Sequence, residues 1–184
     1  MIKILGISGC LASGKDTLYS LLAQRMNCKR VALADELRRE MRPFILDKFN
    51  LDLFSCSREE KDSVRPLLVE YARIKRNQTN GRYFINKIDG YVKSLSCNVV
   101  ITDIRYPEEL SWIKELKGIL VHITKHKVIN GKKVYQKSPI LDERLNNPKL
   151  KKAADFKIDW PEAADIAELN PYVDKLLAFL ERLK

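Results

Sequence analysis

No two cysteines in this chain stand at CxxC spacing: Cys10, Cys28, Cys56 and Cys97 are far apart, which argues against both a cysteine zinc site and a disulfide framework and suits a reducing, cytoplasmic setting. Histidine is scarcer still. His122 and His126 have no companions at metal-ligand spacing, so His122, inside an apolar run, reads as a core residue. Long hydrophobic runs are missing: Met1-Ile-Lys-Ile-Leu5 gives way to Gly, Ser and Cys, and Lys15 interrupts before a membrane-spanning length is reached, so neither a signal peptide nor a transmembrane helix is expected. Acidic residues are outnumbered, 24 Asp and Glu against 34 Lys and Arg in 184 residues, a formal net charge of +10. That balance excludes an acidic solvating protein. It suits either nucleic acid or a pocket for phosphorylated small molecules, because clustered cations concentrate any phosphate. Recognisable nucleic-acid modules, internal repeats and low-complexity tracts are all absent.

With 45% apolar residues the chain can bury a core but has little room for a second full domain. The expectation is one domain over 1–184, with 35–80 as an insertion and 125–152 as a lid. Ile2–Ile7 reads as a strand ended by Ser8-Gly9, and Thr17–Met26 as a helix carrying Leu18, Leu21 and Leu22. Val31–Ala34 is a second short apolar run. Asp35–Met41 opens a charged helix that is expected to stop near Pro43, and residues 44–60 show no clear period. Ser57 with Glu60 is a capping box for another helix, while Pro66 argues against one unbroken run to Arg76. Tyr83–Leu95 has a helical stripe. Asn98–Thr102, ending at Asp103, and Ile119–Ile123 are continuous apolar runs of the kind buried on both faces of a parallel sheet. Pro107–Lys117 between them is a helix closed by Gly118. Lys125–Lys152 holds nine basic residues against Asp142 and Glu143 and few strongly apolar ones, so it is expected as a mobile loop. Phe156–Trp160 and Pro171–Leu183 complete the pattern as a strand and a helix. Strands alternating with helices give an α/β fold, a parallel sheet with helices on both faces, whose ligands gather at the carboxyl ends of the strands.

Gly9-Cys-Leu-Ala-Ser13-Gly14-Lys15 matches the GxxxxGK phosphate loop (Walker A) between a strand and a helix. Glycines there let backbone N–H groups curl round a phosphate, the helix N-terminus adds its positive end, and Lys15 reaches the β- and γ-oxygens. The competing account is a glycine turn that only joins strand to helix. Asp16 stands where the pattern has Ser or Thr, and Thr17 follows; Asp16 acts on a metal through water or caps the helix, and Thr17 is placed to meet the α- or β-phosphate.

Ser13-Gly-Lys-Asp-Thr17, Leu33-Ala-Asp-Glu-Leu-Arg38 and Val100-Ile-Thr-Asp-Ile-Arg105, followed by an acidic helix, Gly118 and an apolar strand, resemble the deoxynucleoside monophosphate kinases of tailed phages and their bacterial relatives. The same order of motifs occurs in animal-type phosphomevalonate kinases. The resemblance spans nearly the whole chain and implies a P-loop kinase with a small basic lid, using ATP and Mg²⁺ to phosphorylate a nucleoside or deoxynucleoside monophosphate. It implies that Gly9, Ser13, Gly14, Lys15, Asp16 and Thr17 hold ATP, with Leu11 and Ala12 where family members often have basic residues. It matches Arg38 and Arg65 to acceptor-binding positions, Arg65 opening the helix that lines the acceptor site, and Asp103 and Arg105 to the family's Asp-x-Arg pair.

Phosphoryl transfer needs in-line placement and cations on the equatorial oxygens. Lys15 and Arg105 are expected to supply charge, with Asp103 orienting the metal or the acceptor, Asp16 and Thr17 as further metal contacts, and Arg144 as a catalytic lid arginine. Arg38, among Arg39 and Arg42, is equally well explained as one face of a solvated helix, and Arg65 likewise. Tyr71 is a candidate for stacking a base. Three rivals follow from the same residues: a kinase of phosphomevalonate or dephospho-coenzyme A, a nucleic-acid-binding NTPase using the basic segment, and a nucleotide-binding regulator without turnover. Nucleic acid is disfavoured because the chain is short and carries no recognisable nucleic-acid module. Base preference and oligomeric state are not legible.

Overall fold

A computed structural model describes residues 3–183 of the chain. These residues divide into two compact units, one of residues 3–31 and 95–183 and one of residues 32–94.

The first unit is built on a parallel sheet. Strands β1 (Ile4–Gly9), β2 (Cys28–Val31), β3 (Asn98–Ile104), β4 (Ile119–Ile129) and β6 (Phe156–Pro161) pair side by side in the order β2-β3-β1-β4-β6. Strand β5 (Lys132–Tyr135) runs antiparallel against the far end of β4. The first-strand expectation holds from Ile4; Ile2 lies outside the described residues. On one face, Leu5, Ile7, Val121, Ile123, Ile158 and Trp160 bury against Leu18, Leu21 and Leu22 of α1 (Lys15–Ala23) and Val173, Leu176 and Leu180 of α7 (Asn170–Glu181). The other face carries α5 (Pro107–Glu115) and α6 (Leu141–Ala153). Helix α5 comes close because β1 has Gly6 there: a Cβ would lie 3.0 Å from Ile104 and 3.1 Å from Ile113.

The second unit is three helices, α2 (Leu33–Phe49), α3 (Arg58–Asn77) and α4 (Tyr83–Ser94). Met41, Ile45, Leu51, Leu53, Val64 and Leu68 form its own core. The region 35–80 expected as an insertion lies within this unit.

The structure corrects several expectations. The second strand is Cys28–Val31, not Val31–Ala34, and Leu33 already opens α2. Helix α2 runs through Pro43 and α3 through Pro66. Each proline is exposed, while apolar residues on either side of it, Met41 and Ile45 in one helix, Val64 and Leu68 in the other, bury in the core. That packing offsets the roughly 3 kcal/mol cost of an interior proline. Ser57 does cap α3, its hydroxyl accepting from Glu60 N while Glu60 accepts from Ser57 N. Arg65 therefore stands within the helix rather than at its opening. The segment 125–152 is mostly regular structure: the end of β4, a turn at Asn130 and Gly131 (φ 50° and 74°), β5, an irregular stretch over 136–140 and most of α6.

Candidate functional site

The loop Gly9–Gly14 joins β1 to α1 with three positive φ angles, 147° at Gly9, 60° at Ala12 and 94° at Gly14. Gly9 and Gly14 are also confined sterically from the sheet side, since a Cβ would stand 2.6 Å from the Ile123 carbonyl oxygen at Gly9 and 2.6 Å from Trp160 Cζ2 at Gly14. The same indole donates its Nε1–H to the Ser13 carbonyl at 2.9 Å. Ser13 N donates to Cys10 O at 3.1 Å, Leu18 N to Gly14 O at 2.9 Å. Ser13 Oγ is buried without a hydrogen-bond partner among the described residues, a hydroxyl whose cost is relieved when something donates to it or accepts from it.

Lys15 is the first residue of α1, 9% exposed, with Nζ donating to the carbonyls of Gly9 (2.9 Å) and Cys10 (2.8 Å). Burial lowers its pKa to about 8, and Arg105 adds to that, while Glu143, Asp103 and Asp16 work in the other direction. A cation held against its own loop in this way sits where phosphate oxygens gather in a phosphate loop. Asp103, 7% exposed, lies near the end of β3 beside β1. Arg105 follows it, with its backbone N–H donated to Glu109 Oε2 at 2.6 Å and its guanidinium 2.8 Å from Glu143 Oε1. The first unit thus brings Lys15, Asp103 and Arg105 to one place, at the carboxyl ends of adjacent strands.

Glu143 was not foreseen from sequence. It is 3% exposed in the first turn of α6, and its Oε2 accepts from Leu11 N (3.0 Å) and Ser138 Oγ (2.5 Å). Gln136 Nε2 donates to Leu11 O at 2.7 Å and Asn147 Nδ2 to Cys10 Sγ at 2.8 Å. Tyr106 OH reaches Asp142 at 2.9 Å. The expected lid segment is therefore stitched to the phosphate loop on both sides of Leu11. Burial, with Glu143 next, pushes the Cys10 thiol up, so Cys10 stays protonated at neutral pH. Arg144 is exposed and lines a recess of about 350 Å³ beside the loop, together with Cys10, His122, Lys125, Lys137 and Lys151, and no carboxylate lines that recess. His122 is a core residue, as expected: it is 4% exposed, Nδ1 lies 2.9 Å from Ser8 Oγ, and burial lowers its pKa to about 4, with nearby lysines adding to the effect.

For a divalent cation the donors on hand are the Asp103 and Asp16 carboxylates and the Thr17 hydroxyl. The Asp16 side chain is 81% exposed and lies 3.5 Å from Arg30 Nε. Among the described residues no three His, Cys, Asp or Glu side chains form a metal cage. A sparse set of hard oxygens fits Mg²⁺, which keeps its waters and takes one or two carboxylates plus substrate phosphates.

In the second unit, Arg38 pairs with Asp35 at 2.8 Å and Arg65 Nε donates to Asp62 at 3.0 Å. Both are local helix pairs. Glu40 gathers the hydroxyls of Tyr71 (2.9 Å) and Tyr83 (3.0 Å) and the ammonium of Lys87, joining α2, α3 and α4. Burial, followed by Glu40, raises the Tyr71 pKa to about 12, and Lys75 sits over both rings, 5.5 and 5.1 Å from their centroids.

Among the described residues no helix is long and apolar enough to cross a membrane. No protein-family model matches the chain, and no curated protein is similar to it in sequence. Solved structures do share its fold. A dephospho-CoA kinase from Campylobacter jejuni superposes with a TM-score of 0.53 at 16% identity, over 99% of this chain and 98% of that one. A shikimate kinase from Bacteroides thetaiotaomicron gives a TM-score of 0.53 at 17% identity, over 98% and 99%. The α/β fold with its mainly parallel sheet is that of P-loop kinases.

Proposed function

We propose that this chain is an ATP-dependent phosphotransferase whose acceptor is a nucleoside or deoxynucleoside monophosphate. The observation that carries the reading is Lys15, buried at the mouth of a glycine loop and flanked by Asp103 and Arg105. Two cations and a carboxylate at the carboxyl ends of adjacent strands suit the transfer of a highly charged group better than they suit passive binding.

In the reaction an oxygen of the acceptor phosphate attacks the γ-phosphorus of ATP, the bond from that phosphorus to the β,γ-bridging oxygen breaks, and ADP leaves with that electron pair. Gly9, Ser13, Gly14, Asp16 and Thr17 hold the donor phosphates, the loop N–H groups cradling them. Lys15 offsets charge on the β- and γ-oxygens, and Arg105 offsets charge on the equatorial oxygens as it builds. Asp103 fixes the orientation of the groups it meets and, with Asp16 and Thr17, would hold Mg²⁺. When bound, Mg²⁺ neutralises phosphate charge. The basic segment with Arg144, Lys125, Lys137 and Lys151 attracts the polyanionic donor and keeps bulk water from the γ-phosphate. Arg38 and Arg65, whose ion pairs are local and exchangeable, bind the acceptor phosphate, with the second unit as the acceptor-binding part.

The test is ADP formation from Mg-ATP against the eight common nucleoside and deoxynucleoside monophosphates, with phosphomevalonate and dephospho-coenzyme A alongside. The reading predicts turnover that requires one or a few of the monophosphates. Turnover with a different phosphorylated metabolite keeps the phosphotransferase and replaces the acceptor. Turnover only on adding DNA or RNA overturns the acceptor assignment.

A further inference from the structure

We propose that Glu143 is a positioning residue for Arg105: its buried carboxylate clamps the arginine and the phosphate loop together, so that the guanidinium is already oriented when the donor arrives. The inference rests on the phosphotransferase reading and concerns how its site is held.

A glutamate that is 3% exposed needs partners for its charge. Those of Glu143 are distant in sequence and belong to the site. Oε1 stands 2.8 Å from Arg105 Nη1; Oε2 accepts from the backbone N–H of Leu11 at 3.0 Å and from Ser138 Oγ at 2.5 Å. Arg105 is thereby held at both ends, its backbone N–H by a hydrogen bond to Glu109 Oε2 at 2.6 Å and its head by the ion pair with Glu143, whose Oε1 accepts no hydrogen bond among the described residues. A guanidinium has five N–H donors in a rigid fork. The ion pair is made from one terminal nitrogen, which leaves donors for phosphate oxygens.

Charge leads to the same conclusion. Lys15 and Arg105 are close enough to repel, and Glu143 is a carboxylate that acts on both. The neighbouring acid in the first turn of α6, Asp142, accepts instead from the Tyr106 hydroxyl at 2.9 Å. An arginine left to rotate must be ordered in every turnover, and misplacement of about 1 Å at a reacting group can cost 100-fold in rate.

The experiment is a double-mutant cycle with Glu143→Gln and Arg105→Gln, in steady-state kinetics with a monophosphate acceptor and with Arg Nε–H nuclear magnetic resonance as an activity-independent readout. The Glu143→Gln side chain keeps an oxygen for Leu11 N–H and Ser138 but loses the charge. Expected are a kcat about 10- to 100-fold lower, an ATP KM within about 3-fold of the parent, an Arg105 Nε–H signal moved to the position of a free arginine, and a double variant no slower than Arg105→Gln alone. If Glu143→Gln does not fold, Glu143→Asp carries the same cycle, since it keeps the charge and withdraws it by one methylene; kcat falls again, and adding Arg105→Gln makes the change at position 143 silent. Unchanged or faster turnover in the Glu143 variants, additive losses in the cycle, or an unmoved Arg105 signal overturns the inference. If the wild-type protein shows no acceptor-dependent turnover, it is the functional reading that fails, and the resonance shift then decides by itself whether Glu143 holds Arg105.

Discussion

Trp160 holds the phosphate loop from the side of the last strand: its indole N–H donates to the Ser13 carbonyl at 2.9 Å, and its ring occupies the space that a Cβ on Gly14 would need. The side chain is 1% exposed, so the contact is made in the core and not at its edge. Trp160→Phe removes the donor and part of the ring. The expected loss is about 2 kcal/mol of stability, from one hydrogen bond and a small cavity, together with a several-fold higher KM for ATP. Urea unfolding and initial rates check the two parts separately.

Gly14→Ala meets both a backbone and a steric obstacle. The residue sits at φ 94°, and the added methyl carbon would lie 2.6 Å from the indole. The left-handed conformation alone costs about 1 kcal/mol or more for a residue with a side chain. We expect nucleotide affinity to fall at least tenfold, measured by calorimetric titration with Mg-ATP; affinity within twofold of the parent would mean that the loop is not the donor site.

His122 makes stability depend on pH in a defined window. Its folded pKa of about 4 lies below the ordinary value of 6.5, chiefly because of burial. Well above pH 6.5 both folded and unfolded states hold it neutral. As the pH falls from 6.5 towards 4 only the unfolded state takes up the proton, so stability is lost across that window. The loss from this one group at pH 5 is about 2 kcal/mol. His122→Gln should flatten that part of the curve in denaturant titrations at pH 7.5, 6, 5 and 4.5.

Ile45 is fully buried among Leu53, Val64 and Leu68. Ile45→Ala should cost the second unit about 3 kcal/mol. Hydrogen exchange of the α2 and α3 amides is the readout, and protection there should drop by roughly two powers of ten.

The parts of the fold written in apolar residues were legible. The strands β1, β3 and β6, the start of β4, and the helices α1, α4, α5 and α7 all follow from runs or stripes that end up buried. The hairpin of β4 and β5 was missed because its residues are exposed and rich in lysine, so no apolar alternation marks it. Asn130-Gly131 was the available signal, a dipeptide suited to a tight hairpin turn. Prolines misled in α2 and α3, where burial on either side outweighs the lost backbone bond. At the site, Lys15, Asp103 and Arg105 could be read because a motif or a buried strand end singled them out. Glu143 could not, since one of two adjacent acids in a basic segment looks like an ordinary surface charge until the register of α6 turns it inward.

The most direct test of the account compares acceptor-dependent ADP formation by the wild-type protein and by Lys15→Met, which keeps the length and apolar stem of the side chain and removes only the charge. The account predicts monophosphate-dependent turnover in the wild type, a loss of at least about 100-fold in the variant, and similar thermal unfolding for both. Turnover by Lys15→Met at the wild-type rate would contradict the assignment of this loop as the donor site, and with it the central claim.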